Sequence, residues 1–170
     1  MKKVYLDNAS TTAMRPEVIQ VMVDCMAQDY GNPSSTHSLG RHAKSILELS
    51  RKSIAKALNA TAQEILFTSG GTEANNWILR SAVKDLKVRR IISSKMEHHA
   101  VLYPILELQK EFDIQVEYVE NSADGVLDLT HLVDLLSEST EKTLVSLMHV
   151  NNETGVILDL ERVSQICQEH

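Results

Sequence analysis

The segment that most constrains the fold runs from Ile65 to Asn76 and reads ILFTSGGTEANN. A short run of apolar and β-branched residues stops at Gly70 and Gly71, and a segment that suits a helix follows. This pattern predicts a strand, a tight turn and a helix that Thr72 opens. Glycines let a backbone approach a ligand closely, and the first N–H groups of a helix have no internal partner. The segment therefore predicts an anion site, and phosphate is the usual ligand of such a site.

The same segment also fits an ordinary strand-to-helix turn in which Thr72 is the N-cap and Glu73 lies in the first turn. In the phosphate interpretation, the hydroxyls of Ser69 and Thr72 could add two hydrogen-bond donors. The segment matches neither a Walker loop nor a GxGxxG fingerprint. Local reasoning leaves both interpretations open.

Charge and composition exclude several classes of partner. The chain has 170 residues and a formal net charge of −6, and its Lys and Arg residues form no block. Nucleic acid and an anionic membrane are therefore not expected partners. No apolar run reaches the length of a membrane span, and the amino terminus leads into Asp7 rather than into a signal-peptide core. Two cysteines make no disulfide framework, which predicts a reducing, cytoplasmic location.

Helical and strand patterns alternate through most of the chain. Alternation of this kind predicts an α/β fold with a mainly parallel sheet flanked by helices, in which ligands bind at the carboxyl ends of the strands. Residues 114–119 alternate in polarity and predict a strand toward a sheet edge, whereas the apolar run 143–150 predicts a central strand. The remaining predicted strands are 4–6 and 90–94, and helices are predicted after Pro16, over 37–58, from Thr72, around 102–108, over 129–136, and at the end of the chain.

Polar clusters follow three of the predicted strands and can converge on one pocket. They are the Gly-Gly-Thr turn, residues 97–99 (Glu-His-His) and residues 151–153 (Asn-Asn-Glu). His98 lies near a predicted helix start, where the positive potential disfavours the imidazolium, and a neutral imidazole suits proton transfer or stacking on a ring. It could equally decorate the surface. Asn152 offers a donor and an acceptor to a ligand, or serves as a turn residue.

No metal site and no cysteine nucleophile are expected. Adjacent side chains on a helix diverge, so His98 and His99 do not make a zinc site, and no third ligand lies at a suitable spacing. Cys25 and Cys167 lie in helical patterns without an electropositive, loop-like setting. We expect both to pack as small hydrophobic residues.

Five ordered motifs carry a resemblance to a known family. They are YLDNASTT, YGNPSSTHSLGR, EILFTSGGTEANN, SSKMEHHAV and HVNNETGV. The set resembles the amino-terminal part of the cysteine desulfurases of the NifS/IscS type. These are class V aminotransferase enzymes of fold type I that use pyridoxal 5'-phosphate. The resemblance implies that residues 15–170 are an incomplete cofactor-binding large domain, that residues 1–14 belong to the small-domain side, and that the enzyme is a homodimer.

The resemblance also implies roles for single residues. Gly71 and Thr72 would hold the cofactor phosphate, and Asn152 would lie near the ring and the substrate carboxylate. His98 would stack on the pyridine ring and help to move protons. The implied reaction converts L-cysteine to L-alanine and transfers sulfur to an enzyme cysteine as a persulfide. The sulfur then passes to an acceptor or scaffold protein for iron–sulfur cluster or thio-cofactor assembly.

Several residues of the family pattern have no counterpart in these 170 residues. They are the aspartate at the pyridine nitrogen, the Schiff-base lysine, the persulfide cysteine and the substrate-binding arginine, and Lys95 matches a bystander position. We therefore expect a fragment that is inactive alone and whose partner is the missing carboxyl-terminal half. Alternatives are a selenocysteine lyase or another class V enzyme, and, from another class, an inactive binding or dimerisation module.

Overall fold

The computed structural model of the protein describes residues 3–170. The chain divides into two compact units, with the boundary between Phe67 and Thr68. The first unit contains helices α1 (Pro16–Gln28) and α2 (Ser38–Ala57) and a short 3-10 helix (Ala62–Glu64). The predicted division into residues 1–14 and 15–170 stays a prediction, and residues 1 and 2 lie outside the described residues.

The side chains of α1 do not form the buried stripe that their spacing suggests. No residue of α1 is buried, and Cys25 is exposed, so the expectation that this thiol packs inside is wrong for the described chain. Proline at the first position explains where the helix starts, because its missing N–H costs nothing there. Sequence periodicity located the helix correctly, but burial also needs an opposing surface.

The second unit is a three-layer α/β arrangement. Its elements are α3 (Gly71–Lys84), β1 (Arg90–Ser94), α4 (His99–Phe112), β2 (Gln115–Val119), α5 (Leu129–Ser137), β3 (Thr143–Val145) and α6 (Leu160–Glu169). The strands pair in parallel in the order β2-β1-β3, with Arg90 opposite both Gln115 and Thr143. The predicted fold class is confirmed: a parallel sheet flanked by helices.

Both faces of β1 are buried, and consecutive residues of that strand point to opposite faces. Ile91 belongs to a cluster with residues of α3 and α4, such as Leu79 and Ile105. Ile92 belongs to a second cluster with residues of α5 and α6, such as Leu132 and Ile166. The helices therefore cover the two sides of the sheet in pairs, and the carboxyl end of β1 is left for the loops.

Three predicted strands differ in the structure. Residues 4–6 and 65–67 form no strand, and the apolar run from Thr143 is a short edge strand rather than a central one. A strand requires a hydrogen-bonded neighbour, and within residues 3–170 neither of the two missing strands has one. The central position belongs to β1, while β2 lies at an edge as predicted.

Within residues 3–170, no helix combines the length and the apolar character that crossing a membrane requires.

Candidate functional site

The amino terminus of α3 is open and uncapped. The helix begins at Gly71 after Gly70 at the N-cap position, and no side chain caps it. Thr72 is thus the second helical residue, and its interpretation as the N-cap is wrong. The N–H groups of Gly71, Thr72 and Glu73 donate to no backbone carbonyl of the described chain. Apart from adjacent residues and the helix's own backbone, no atom of residues 3–170 lies within 4 Å of a Cβ placed on Gly70 or Gly71, so this end of the helix is accessible to a ligand.

The N–H and the hydroxyl of Ser69 both make hydrogen bonds within the chain. Its N–H and its hydroxyl donate to the same oxygen of Glu73, at 2.6 and 2.7 Å. These two hydrogen bonds lower the pKa of the Glu73 carboxyl, and the bond from the Ser69 hydroxyl contributes more than the bond from the Ser69 N–H. The expectation that Ser69 supplies a free donor is therefore wrong in this structure. The Thr72 hydroxyl makes no hydrogen bond within residues 3–170 and is therefore available to a ligand.

His98 lies where the sequence predicted, four residues beyond the end of β1 and at the N-cap of α4. Its Nδ1 accepts a hydrogen bond from the Ala100 N–H at 3.0 Å. Because an imidazole nitrogen that accepts carries no hydrogen, the hydrogen of the neutral ring is on Nε2. His98 is exposed, so its side chain is accessible to a ligand.

Thr72 and His98 border the same cleft. This α3–α4 cleft has a volume of about 340 Å³ and is also lined by Asn76, Tyr103 and Glu107. Two of the predicted site residues, 26 positions apart in the sequence, are thus brought together by the packing of α3 against α4. Lys95 borders a different cavity, next to β2.

Asn152 does not border the α3–α4 cleft. It lies exposed in the turn after β3. The preceding residue, Asn151, connects this turn to the β1–α4 loop by donating from Nδ2 to the Met96 carbonyl at 3.0 Å. Sequence reasoning placed Asn151 in a polar cluster but assigned it no role of its own. An Asx turn, in which Asn151 Oδ1 accepts from two following N–H groups, is the signal that could have revealed it.

Glu97 is a second residue that sequence reasoning did not single out. Only 9% of it is exposed, and it accepts a hydrogen bond from the Met148 N–H. Burial raises the pKa of its carboxyl, and the Met148 bond opposes that rise. Glu97 lines a cavity of about 160 Å³ with Met148, Asn151 and several apolar side chains. A buried carboxyl next to His98 is unexpected on packing grounds alone.

Comparison with known proteins assigns the family. The model of the aminotransferase class V family matches residues 4–170. The chain belongs to the class V aminotransferase family. Cysteine desulfurase IscS of Dictyoglomus turgidum is 41% identical in an alignment that covers 99% of this chain and 43% of that protein. Cysteine desulfurase IscS of Haemophilus ducreyi is 41% identical over 97% of this chain and 41% of its own length.

Solved structures agree with this assignment. A NifS-like protein superposes with a TM-score of 0.91 at 36% identity, over 99% of this chain and 46% of that one. The apo cysteine desulfurase of Thermococcus onnurineus superposes with a TM-score of 0.86 at 27% identity, over 98% and 41%. This class V aminotransferase chain thus spans less than half the length of the relatives that it matches.

The observed geometry fits a phosphate-bearing cofactor. Free N–H groups at the start of α3 provide donors in a region of positive helix potential. The Thr72 hydroxyl and the His98 ring lie on one cleft next to these donors. The individual roles of Gly71, Thr72, His98 and Asn152 in this class V aminotransferase chain stay predictions.

Proposed function

We propose that this chain carries the phosphate-binding and ring-stacking part of a pyridoxal 5'-phosphate-dependent cysteine desulfurase. One observation carries the proposal: Thr72 and His98 both border the α3–α4 cleft, and Thr72 lies at the uncapped start of α3. The class V family match and the relatives named cysteine desulfurase support the same activity. The substrate would be L-cysteine and the products L-alanine and sulfur held as a persulfide, for iron–sulfur cluster or thio-cofactor assembly.

Each residue has a distinct task in this proposal. The N–H groups of Gly71 and Thr72 and the Thr72 hydroxyl bind the phosphate. The His98 ring stacks on the pyridine, and its Nε2 holds or moves a proton, because Nδ1 is engaged by Ala100. Asn152 orients the ring and the substrate carboxylate. When bound, pyridoxal phosphate supplies the electron sink that weakens bonds to the α-carbon of an amino acid.

The chain spans 43% of the Dictyoglomus turgidum relative, and we place the rest of the proposed catalytic machinery in the remaining part. We assign the lysine, the persulfide cysteine and the substrate arginine to that part. A homodimer, a cytoplasmic location and transfer of sulfur to an acceptor or scaffold protein complete the proposal. The large-domain assignment of residues 15–170, with residues 1–14 on the small-domain side, belongs to it as well.

The test compares two threonines at the same helical position. Thr72 is the second residue of α3, and Thr130 is the second residue of α5. At α5, Asp128 already accepts from the N–H groups of Thr130 and His131, at 2.9 and 3.2 Å. Thr72→Ala should weaken binding of pyridoxal phosphate and of inorganic phosphate by about 1.5–3 kcal/mol, the usual value of a hydrogen bond to a charged group. Thr130→Ala should leave both affinities unchanged.

Isothermal titration of the wild type and both variants measures these affinities. Equal affinity of the wild type and Thr72→Ala for both ligands would contradict the phosphate site. If the wild-type chain binds neither ligand, that result would favour the alternative function, an inactive binding or dimerisation module. Once the cofactor site is established, comparing cysteine with selenocysteine as substrates of an assembled enzyme separates a desulfurase from a selenocysteine lyase.

A further inference from the structure

Two side chains outside the proposed phosphate site connect the loop of His98 to the loop of Asn152. Glu97 Oε1 accepts from the Met148 N–H, and Asn151 Nδ2 donates to the Met96 carbonyl at 3.0 Å. Each bond joins the β1–α4 connection to the segment that follows β3. We refer to Glu97 and Asn151, with these two bonds, as the Glu97–Asn151 clamp.

The clamp begins where the sheet ends. Pairing between β1 and β3 stops at Ile92 and Val145. One further backbone bond, from the Ser146 N–H to the Ile92 carbonyl at 2.9 Å, and one side-chain bond, from the Ser93 hydroxyl to the Ser146 carbonyl at 2.9 Å, extend the contact. Beyond Ser146, the hydrogen bonds between the two segments of the described chain are those of the clamp. Backbone pairing therefore does not set the separation of the two loops at this level.

Local hydrogen bonds also fix the loop on the Glu97 side. The Met96 N–H donates to the Ser94 hydroxyl at 3.0 Å, and the Glu97 N–H donates to the Ser94 carbonyl at 3.3 Å. His98 follows directly, and its ring is held by the bond to the Ala100 N–H. Displacement of Glu97 would therefore displace His98.

The loop on the Asn151 side encloses Asn152. Asn151 Oδ1 accepts from the N–H groups of Glu153 and Thr154, both at 2.9 Å. The Gly155 N–H donates to the Asn151 carbonyl at 2.8 Å. Asn152 thus lies between Asn151 and the two residues whose N–H groups donate to Asn151 Oδ1. Its backbone position therefore follows that of Asn151.

Packing alone does not explain the carboxyl of Glu97. Its burial in a mostly apolar cavity disfavours the charged form, so the group lowers stability at neutral pH. Asp159 is the other titratable residue that lines this cavity, and its carboxylate accepts from the Arg162 N–H at 3.0 Å as the N-cap of α6. A costly buried group next to a proposed site residue is typical of function rather than of stability.

We propose that Glu97 and Asn151 are positioning residues that fix His98 and Asn152 relative to each other across the ends of β1 and β3. The inference rests on the proposed function, because it gives the clamp the task of presenting the ring-stacking histidine and the asparagine to one cofactor. Neither clamp residue needs to touch the cofactor itself.

The experiment compares Glu97→Ala, Glu97→Gln and Asn151→Ala with the control Glu120→Ala in the 170-residue chain. Glu120 follows β2 directly, as Glu97 follows the turn after β1, but it is exposed. NMR resonances of the His98 ring and of the Asn152 side-chain amide report their positions. Titrations with inorganic phosphate and with pyridoxal phosphate separate phosphate binding from ring binding.

Glu97→Ala should shift both resonances and weaken pyridoxal phosphate binding about tenfold, while phosphate binding at Thr72 stays unchanged. Glu97→Gln should restore both readouts, because its amide oxygen can still accept from the Met148 N–H. If Glu97→Ala fails to fold, Asn151→Ala tests the same expectations, because it removes the bond from Asn151 Nδ2 to the Met96 carbonyl.

Unchanged resonances of His98 and Asn152 in a folded clamp variant would overturn the inference. Equal shifts in the Glu120→Ala control would overturn it too. A wild-type chain that binds pyridoxal phosphate no more tightly than phosphate would count against the proposed ring stacking, and the resonances alone would then decide on the clamp.

Discussion

At the scale of single residues, the candidate site combines side chains that border the α3–α4 cleft with side chains that bond to other parts of the chain. Thr72 and His98 border the cleft and keep atoms for a ligand. Glu97 and Asn151 make their hydrogen bonds within the chain. The sequence pointed to the first group through motif position. It placed Glu97 and Asn151 in polar clusters after two strands but gave them no role, because their partners lie about 50 residues away.

The stability of the chain should depend on pH through Glu97. Burial raises the pKa of this carboxyl above its ordinary value of 4.5, so the folded state binds the proton more tightly than the unfolded state. The free energy of unfolding therefore falls as the pH rises from below 4.5 through the raised pKa. Glu97→Gln removes this loss, so the variant should gain stability over the wild type with rising pH.

Chemical denaturation between acid and neutral pH measures this difference. Glu120→Gln, which replaces an exposed carboxylate, is the matched control and should show little change. A stability difference for Glu97→Gln that stays constant or decreases with pH would contradict the prediction.

At the scale of elements, helix periodicity located the helices but not their buried faces. Helix α2 was predicted over 37–58 and is observed over Ser38–Ala57, yet just three of its 20 residues are buried, namely Gly40, Ala43 and Ala55. Helices α3 and α4 are packed against the sheet, and their stripes are buried through residues such as Val83 and Ile105. A local pattern specifies the helix, and the neighbouring element decides which face is covered.

The two cysteines should not carry sulfur in the proposed reaction. Cys167 lines a cavity with Thr143, at the amino end of β3, whereas His98 follows the carboxyl end of β1. Cys167 is exposed as a residue, so the expectation that it packs inside is wrong as well. Partial burial of its thiol nevertheless raises the pKa and disfavours the nucleophilic thiolate. Cys25 lies exposed on α1. Cys25→Ser and Cys167→Ser should therefore leave sulfur transfer by an assembled enzyme unchanged.

Sulfide release from cysteine measures this prediction, with denaturation curves of both variants as the control. Because neither cysteine is a core residue, each change in the free energy of unfolding should stay within about 0.5 kcal/mol. Loss of persulfide formation in either folded variant would show that the nucleophile lies in this chain.

At the scale of the whole molecule, these 170 residues alone should have no desulfurase activity. The chemistry needs an amine held over the cofactor carbonyl and an acid at the pyridine nitrogen. Lys95, the lysine nearest to His98 in sequence, borders a separate cavity from the α3–α4 cleft. Lys95 is therefore not positioned to act as the amine in that cleft.

Incubation of the purified chain with pyridoxal phosphate, cysteine and a reductant tests this prediction through alanine and sulfide. Boiled protein is the control for reaction with the free cofactor. Alanine formed well above that control, by protein whose mass matches 170 residues, would mean that the roles are assigned wrongly.

The sequence by itself determined the family, the α/β alternation, a helix start close to Gly71 and Thr72, and the place of His98 near the start of a helix. These features are local: they depend on motif order, side-chain periodicity and turn residues within about ten positions. Tertiary structure alone decided that, among residues 3–170, β1 is the central strand and residues 65–67 pair with no strand. It also decided the bonds Glu97–Met148 and Asn151–Met96, which join residues 51 and 55 positions apart. Such bonds depend on which segments meet in space. The sequence does not reveal them, because one side chain can find a hydrogen-bond donor or acceptor at many positions along a chain.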